Sequence, residues 1–219
     1  MLLIIKIRNQ DIDSLLSKLR ILIQNAPLTL TEEIKKAHPS NVYLLLISCL
    51  LSLRTRDIVT WPICQKFFQK IQSPQEMIQL SILEIETAIK SINFYKRKAQ
   101  VLHQVSRLLV EKYAGQVPQT QTELLSLPGV GLKTANLILA EGFNIPAICV
   151  DTHVHRLSNR WRIVTTKTAN ETEQQLSKIL PQKYWIDWNR ILVLIGQTVC
   201  RSRCKGCDVC TYFDSEFNS

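Results

Sequence analysis

The sequence predicts an all-α protein. Apolar residues recur at helical spacing in one block after another. Helix-start signatures punctuate the chain at short intervals. Period-two alternation is nearly absent, and glycine is scarce, with six in 219 residues.

In order, Leu15, Leu16, Leu19, Leu22 and Ile23 mark a first amphipathic helix. Residues 26–42, with Pro27 and Pro39 among polar residues, read as a crossing between two lobes. Tyr43 to Leu53 is almost continuously apolar, too short to span a bilayer, and reads as a buried helix. Ser73-Pro74-Gln75-Glu76 opens a further helix, with serine at the cap, proline in the first turn and glutamate at the third position. Ser81-Ile82-Leu83-Glu84 repeats the signal. Val101, Leu102, Val105, Leu108 and Leu109 form the next stripe, closed by Gly115, and Thr120-Gln121-Thr122-Glu123 caps a short helix. Ile145 to Val150 is a short strand-like piece, followed by a helix start at Asp151-Thr152. Gln174 to Leu180 is helical up to Pro181, and Trp188 to Val199 is apolar up to a cysteine cluster. About nine or ten helices are expected. They divide into a module over 35–145 and a second lobe formed by 1–34 with 146–219.

The formal charge of +9 and pI near 9.3 favour a polyanionic partner, most simply nucleic acid. The opening Met1-Leu2-Leu3-Ile4-Ile5 run is too short for a signal-peptide core or a membrane span. Of seven cysteines, Cys49, Cys64 and Cys149 stand alone in apolar surroundings, as small buried hydrophobes do. Cys200, Cys204, Cys207 and Cys210 crowd into eleven residues, which reads as metal ligation in a reducing compartment. A soluble, cytoplasmic, prokaryote-like protein is expected, with no membrane partner and monomeric by default.

The stretch with most chemistry is Leu127-Pro128-Gly129-Val130-Gly131-Leu132-Lys133-Thr134-Ala135. Apolar residues at helical spacing flank it, so it reads as helix, tight hairpin, helix. Gly129 and Gly131 permit positive φ and close backbone approach. The amides that open the second helix lack intrahelical partners and suit an anion. Lys133 sits at that helix start. The helix N-terminus disfavours an ammonium there and partial burial would lower its pKa, giving a nucleophile able to form a Schiff base. Taken alone it reads first as a solvated contact to phosphate. Asp151 reads evenly as a plain N-cap and as a carboxylate serving Lys133. His153 and His155, two apart, cannot share a helix face, so they read as structural or DNA-contacting rather than as a metal pair.

The hairpin stretch, together with Val150-Asp151-Thr152-His153-Val154-His155-Arg156, resembles the helix–hairpin–helix DNA glycosylases, and within them the endonuclease III family. Leu51-Ser52-Leu53-Arg54-Thr55-Arg56-Asp57, Phe94-Tyr95-Lys96-Arg97-Lys98-Ala99 and Gly196-Gln197-Thr198-Val199-Cys200 follow in that family's order, so the resemblance covers roughly residues 10–210. It implies a two-lobed all-α glycosylase fold with a C-terminal metal-cluster loop. It also implies removal of oxidised pyrimidines from duplex DNA, followed by nicking of the abasic site, in base excision repair. Lys133 stands where the family has its nucleophile, and Asp151 where it has its carboxylate. Gly129, Val130, Gly131 and Thr134 would hold the DNA backbone, with room for a monovalent cation at the hairpin. Phe94 stands at the family's apolar wedge, and Arg54 near the glutamine that fills the gap left by the flipped base; no glutamine is present here. His153, Arg201, Arg203 and Lys205 complete the expected DNA contacts. The family's cysteine pattern, C-x6-C-x2-C-x5-C, holds a [4Fe–4S] cluster; this chain has C-x3-C-x2-C-x2-C. Four thiolates suit a cubane cluster and zinc equally by softness; the resemblance implies [4Fe–4S], with zinc, or an empty or partly used site, as the alternatives. Two other functions stand beside this one: a monofunctional mismatch or uracil-type glycosylase, and a non-catalytic DNA-binding protein.

Overall fold

The computed structural model describes residues 9–204 and 206–217. The Met1–Ile5 run and Lys205 lie outside the described residues. Among those described there are thirteen α-helices, one π-helix, one 3-10 turn and no strand. The chain divides into two compact units, Leu28–Ile145 and the pair of segments Met1–Pro27 with Pro146–Ser219.

Helix α1, Asn9–Ile23, belongs to the second of these units. The unit Leu28–Ile145 begins with α2, Leu30–Ala37, inside the stretch expected to be a plain crossing. A capping box explains it: the Thr29 hydroxyl accepts from the Glu32 amide, and the Glu32 carboxylate accepts from the Thr29 amide. Next comes α3, Val42–Ser52, whose residues Tyr43 to Leu51 are all buried. Each fully buried Leu or Ile there contributes about 1.5–3 kcal/mol, which is why a helix with no polar face is stable at the centre of the unit. Helices α4 (Asp57–Phe67) and the long α7 (Tyr95–Tyr113) pack on it, and α5 (Pro74–Gln79) and α6 (Ile82–Ala88) pack on α7. Capping boxes at Ser73/Glu76 and Ser81/Glu84 start α5 and α6 where the sequence signals them. Helix α4 carries Pro62 in its interior, a residue that reads as a helix breaker in sequence. Helices α8 (Gln121–Leu125) and α9 (Leu132–Leu137) follow, and α9 runs on as a π-helix over Ile138–Gly142.

The other unit adds α10 (Thr152–Arg160), α11 (Ala169–Ile179), the 3-10 turn Gln182–Tyr184, α12 (Trp185–Thr198) and α13 (Asp208–Phe217). Its core joins Ile12, Leu15, Leu16 and Leu19 of α1 to Trp188, Ile191, Leu192 and Ile195 of α12, with Val154 and Leu157 of α10 against them. Trp161 stacks on Phe213 at 4.2 Å between centroids. The segment before α10 forms no regular secondary structure and pairs with no strand among the described residues; the Asn189 side-chain amide of α12 donates to the Cys149 carbonyl at 2.7 Å.

Candidate active site and metal centre

The hairpin between α8 and α9 is built by its backbone. The Val130 amide donates to the Leu127 carbonyl at 3.1 Å, closing the turn. Gly129 takes φ +77°, where an added Cβ would stand 3.0 Å from Val101 Cγ1. Gly131 does not share this need. It has φ −99°, and a Cβ placed on it would meet nothing within 4 Å. Gly131 is the N-cap of α9 and offers no side-chain oxygen, so the first turn opens without a side-chain cap. The amides of Gly129 and Gly131 make no hydrogen bond among the described residues. The two helices are pinned together by Gln121 Nε2, which donates to Oδ1 of the buried Asn136 at 2.6 Å.

This geometry limits what three of the expected site residues can offer. Val130 is buried and its amide is used in the turn, so only its carbonyl remains for a ligand. Thr134 is 4 % exposed, so it can offer only its backbone amide. Lys133 is exposed rather than half-buried, on the same turn as the uncapped amides.

Arg54 and Phe94 come together in the same unit. Both are exposed, and the Arg54 guanidinium carbon lies 5.0 Å from the Phe94 ring centroid. An open cavity of 610 Å³ touches both residues and also Pro128 and Gly129, so the hairpin and this pair border one space. Lys98 holds the loop that carries Arg54. Its Nζ donates to the Leu51 and Leu53 carbonyls, each at 2.7 Å, and to Thr55 Oγ1 at 3.3 Å. Burial pulls its pKa down to about 8. The sequence carries a signal for it: Lys98 falls in register with Leu102, Val105 and Leu109, so a lysine occupies the apolar stripe of α7. Asn93, the residue before Phe94, is a second residue the sequence does not single out.

Asp151 caps α10. Its Oδ1 accepts from the amides of His153 and Val154, both at 2.8 Å, leaving Oδ2 without a hydrogen bond among the described residues. The cap therefore occupies one carboxylate oxygen and spares the other. His153 turns its Nδ1 toward Gly196 of α12, where an added Cβ would come within 2.4 Å of it. Any DNA contact from His153 falls to its other ring edge. His155 is held inside the unit, its Nδ1 2.7 Å from Thr172 Oγ1.

The four clustered cysteines meet at the end of α12 and the start of α13. Their sulfurs all lie within 4.8 Å of one another. Cys200 Sγ is 3.5 Å from Cys210 Sγ, and Cys207 Sγ is 3.7 Å from Cys210 Sγ. Sulfurs bound to one tetrahedral zinc would stand about 3.8 Å apart, from bonds of roughly 2.3 Å. Four thiols this close, with no carboxylate or imidazole among them, fit a thiophilic metal centre. Two arginines one turn apart on α10 face the cluster. Arg160 Nη1 donates to Cys200 Sγ at 3.2 Å, and Arg156 Nη2 donates to the Cys200 carbonyl at 2.7 Å. Burial raises the Cys200 thiol, but the hydrogen bonds from Arg160, Cys210 and Arg156 outweigh it and leave the pKa below the ordinary value. Burial pushes Cys207 up to about 12. Arg201 and Arg203, between the ligands, are exposed.

Comparison with known proteins adds a common pattern. A family profile described as HhH-GPD superfamily base excision DNA repair protein matches residues 47–182. The chain is 43% identical over 186 residues to endonuclease III of Thermotoga maritima, covering 83% of this chain and 87% of that one. It is 35% identical over 179 residues to endonuclease III of Escherichia coli K12, covering 79% and 85%. Among solved structures, a trapped endonuclease III–DNA covalent intermediate in an estranged-adenine complex matches with a TM-score of 0.79 at 32% identity, covering 90% of each chain. A thermostable thymine-DNA glycosylase matches with a TM-score of 0.80 at 23% identity, covering 94% and 98%, a likeness of fold alone.

Proposed function

Because the chain belongs to the HhH-GPD superfamily of base excision DNA repair proteins, and within it to the endonuclease III family, we propose that it is a bifunctional DNA N-glycosylase and abasic-site lyase acting on oxidised pyrimidines in duplex DNA. The observation that carries this reading is Lys133: an exposed amine on the first turn of a helix whose amides carry no side-chain cap. A lysine here could also serve as a phosphate contact; what favours the nucleophile is that Lys133 stands where the family has one and Asp151 where it has its carboxylate, and backbone binding alone needs neither. A monofunctional glycosylase would activate water instead.

The roles follow from the chemistry of each group. The amides of Gly129, Gly131 and the first turn of α9 grip a backbone phosphate, and carbonyls of the hairpin offer oxygen ligands to a monovalent cation. The damaged nucleotide leaves the stack, since its C1′ is inaccessible inside the duplex. The Lys133 amine, having lost a proton, attacks C1′. The bond from C1′ to the base breaks and the base departs with the electron pair and takes up a proton. The sugar ring opens as the nitrogen lone pair forms the Schiff base. Loss of a C2′ proton then expels the 3′ phosphate by β-elimination, and water releases the lysine. Asp151, through the oxygen its cap leaves spare, accepts the lysine proton and stabilises positive charge developing at C1′. Arg54, Phe94, His153, Arg201, Arg203 and Lys205 supply the remaining DNA contacts, with the protein acting as a monomer in the cytoplasm.

At the cysteines we assign [4Fe–4S], on the family resemblance, with zinc as the alternative. Four thiols with no other ligand type among them suit either group by softness, and the family resemblance decides between them. Cys200, Cys204, Cys207 and Cys210 would hold the group, which would fix the loop carrying Arg201 and Arg203 between α12 and α13.

The test is borohydride trapping on a duplex with an abasic site. The wild-type chain should give a covalent adduct that disappears in Lys133→Gln while DNA binding persists. Asp151→Asn keeps an oxygen for the two cap amides, so its melting temperature should hold. Its turnover should fall by about 10²–10⁴, the usual range for removing an acid–base group. Binding without any adduct from the wild type would defeat the lyase reading and favour the monofunctional or non-catalytic one.

A further inference from the structure

Helix α12 grips the chain on both sides of Asp151. Pro146 to Val150, the run that delivers Asp151, forms no regular secondary structure, so its surroundings fix its place. Ala147, Ile148, Cys149 and Val150 are buried. Apolar burial is non-directional and does not by itself set the register of a segment along its neighbour. Two contacts with α12 do. The Asn189 side-chain amide donates to the Cys149 carbonyl at 2.7 Å, two residues before Asp151. Two residues after it, His153 packs closely on Gly196: a Cβ there would stand 2.4 Å from the His153 Nδ1 and 2.8 Å from its Cβ and Cγ. Asn189 and Gly196 are seven residues apart on α12, two turns, and so lie on one face. Asn189 is only 8 % exposed and sits in sequence among the buried Trp188, Ile191 and Leu192. A buried amide costs free energy unless it is bonded, and an apolar side chain would fill this place without that cost. Packing alone therefore does not account for it.

We propose that Asn189 is a positioning residue of the reaction: with Gly196 it fixes where α10 begins, and thereby where Asp151 presents its spare oxygen. The proposal rests on the glycosylase reading above, in which that oxygen takes the lysine proton and stabilises charge developing at C1′. The chain of contacts is short. The cap orients the carboxylate on α10, since its Oδ1 is committed to the His153 and Val154 amides. The Cys149 carbonyl and the His153 ring then locate the start of α10 on α12. A misplacement of about 1 Å can cost roughly a hundredfold in rate. Binding is supplied elsewhere, by the hairpin amides and the basic side chains, and Asn189 has no part in it.

The experiment uses the full chain and a duplex with an abasic site. Single-turnover cleavage is measured for the wild type, Asn189→Leu, Asp151→Asn and the double variant. Asn189→Leu keeps a branched side chain and loses the donor. Its rate at saturating protein should fall by about ten- to a hundredfold, while the protein concentration giving half the maximal rate stays unchanged. In the Asp151→Asn background the same substitution should change the rate by no more than about twofold, because the carboxylate it places is gone. Hydrogen exchange supplies a readout without turnover. The His153 and Val154 amides should exchange faster in Asn189→Leu, and in Gly196→Ala, while those of Leu192 and Ile195 keep their protection. A rate that falls by the same factor in both backgrounds, with protection lost across the whole unit, reports a structural role and overturns the proposal. An unchanged rate in Asn189→Leu overturns it too. A wild-type chain that binds the duplex and does not cut it overturns the glycosylase reading instead, while exchange at His153 and Val154 still decides whether Asn189 holds the cap.

Discussion

Gly129 and Gly131 look equivalent in sequence and should behave oppositely when changed to alanine. At Gly129 the backbone sits at φ +77° and the new Cβ would lie 3.0 Å from Val101 Cγ1. The left-handed conformation costs an L residue about 1–2 kcal/mol, and the close methyl adds to it. Lost freedom in the unfolded chain returns roughly 0.4–1 kcal/mol. The net is a destabilisation of about 1–2 kcal/mol, and at roughly 2–4 °C per kcal/mol for a chain this size the melting temperature falls by about 2–8 °C. Gly131 has an ordinary φ of −99° and empty space around its Cβ. There the unfolded-state gain stands alone, so Gly131→Ala should melt at the wild-type temperature or slightly above. Its methyl, however, stands beside the uncapped amides of α9. Losing one amide–phosphate bond, worth about 1.5–3 kcal/mol, weakens binding by roughly ten- to a hundredfold. Thermal melts of both variants, paired with equilibrium binding to a duplex carrying an abasic analogue, separate the two effects. Equal melting shifts, or undiminished binding by Gly131→Ala, would refute the assignment of conformation to one glycine and access to the other.

Two further outcomes are expected. Lys98 has a folded-state pKa of about 8, below the roughly 10.4 of an unfolded lysine. Between these values the unfolded chain binds more protons, so this group makes stability rise with pH over about 8 to 10.4. Urea midpoints measured across that interval should diverge between wild type and Lys98→Met, and parallel curves would remove Lys98 as the cause. Stripping the metal from the cysteines should lower the melting temperature and reduce the salt dependence of DNA binding by about one or two units of slope, as Arg201 and Arg203 lose their fixed positions. An unchanged slope in metal-free protein would detach the loop from the DNA.

Where the sequence speaks clearly, it does so through local signals. The capping boxes at Ser73 and Ser81 start helices where expected, and the hairpin lies between two helices. The same signal at Thr29 lies between prolines, Pro27 and Pro39, that make the stretch read as a crossing, and α2 forms there. Helix α4 carries no such signal: Pro62 sits exposed in its interior while Thr60, Cys64 and Phe67 are buried on the other side. Relations between distant residues were not legible. No local pattern tells that Lys98 reaches the end of α3, that Asn93 bonds the Arg54 carbonyl, or that Val130 spends its amide on Leu127. Burial set by the whole unit decided the rest, leaving Lys133 exposed and Thr134 enclosed.

The packing of α1 against α12 carries a consequence for how the molecule is made. Translation delivers α1 first, while its partner begins at Trp185, about 160 residues later. At roughly 5–20 residues per second, the nascent chain carries the unburied face of Leu15, Leu16 and Leu19 for about 10–30 seconds. The contiguous unit Leu28–Ile145 can complete its fold within that wait, because every helix it needs has already emerged. The enclosing unit cannot begin until the last third of the chain leaves the ribosome. Its vulnerable interval is therefore set by the speed of elongation, and a slow codon run between residues 146 and 184 would lengthen it.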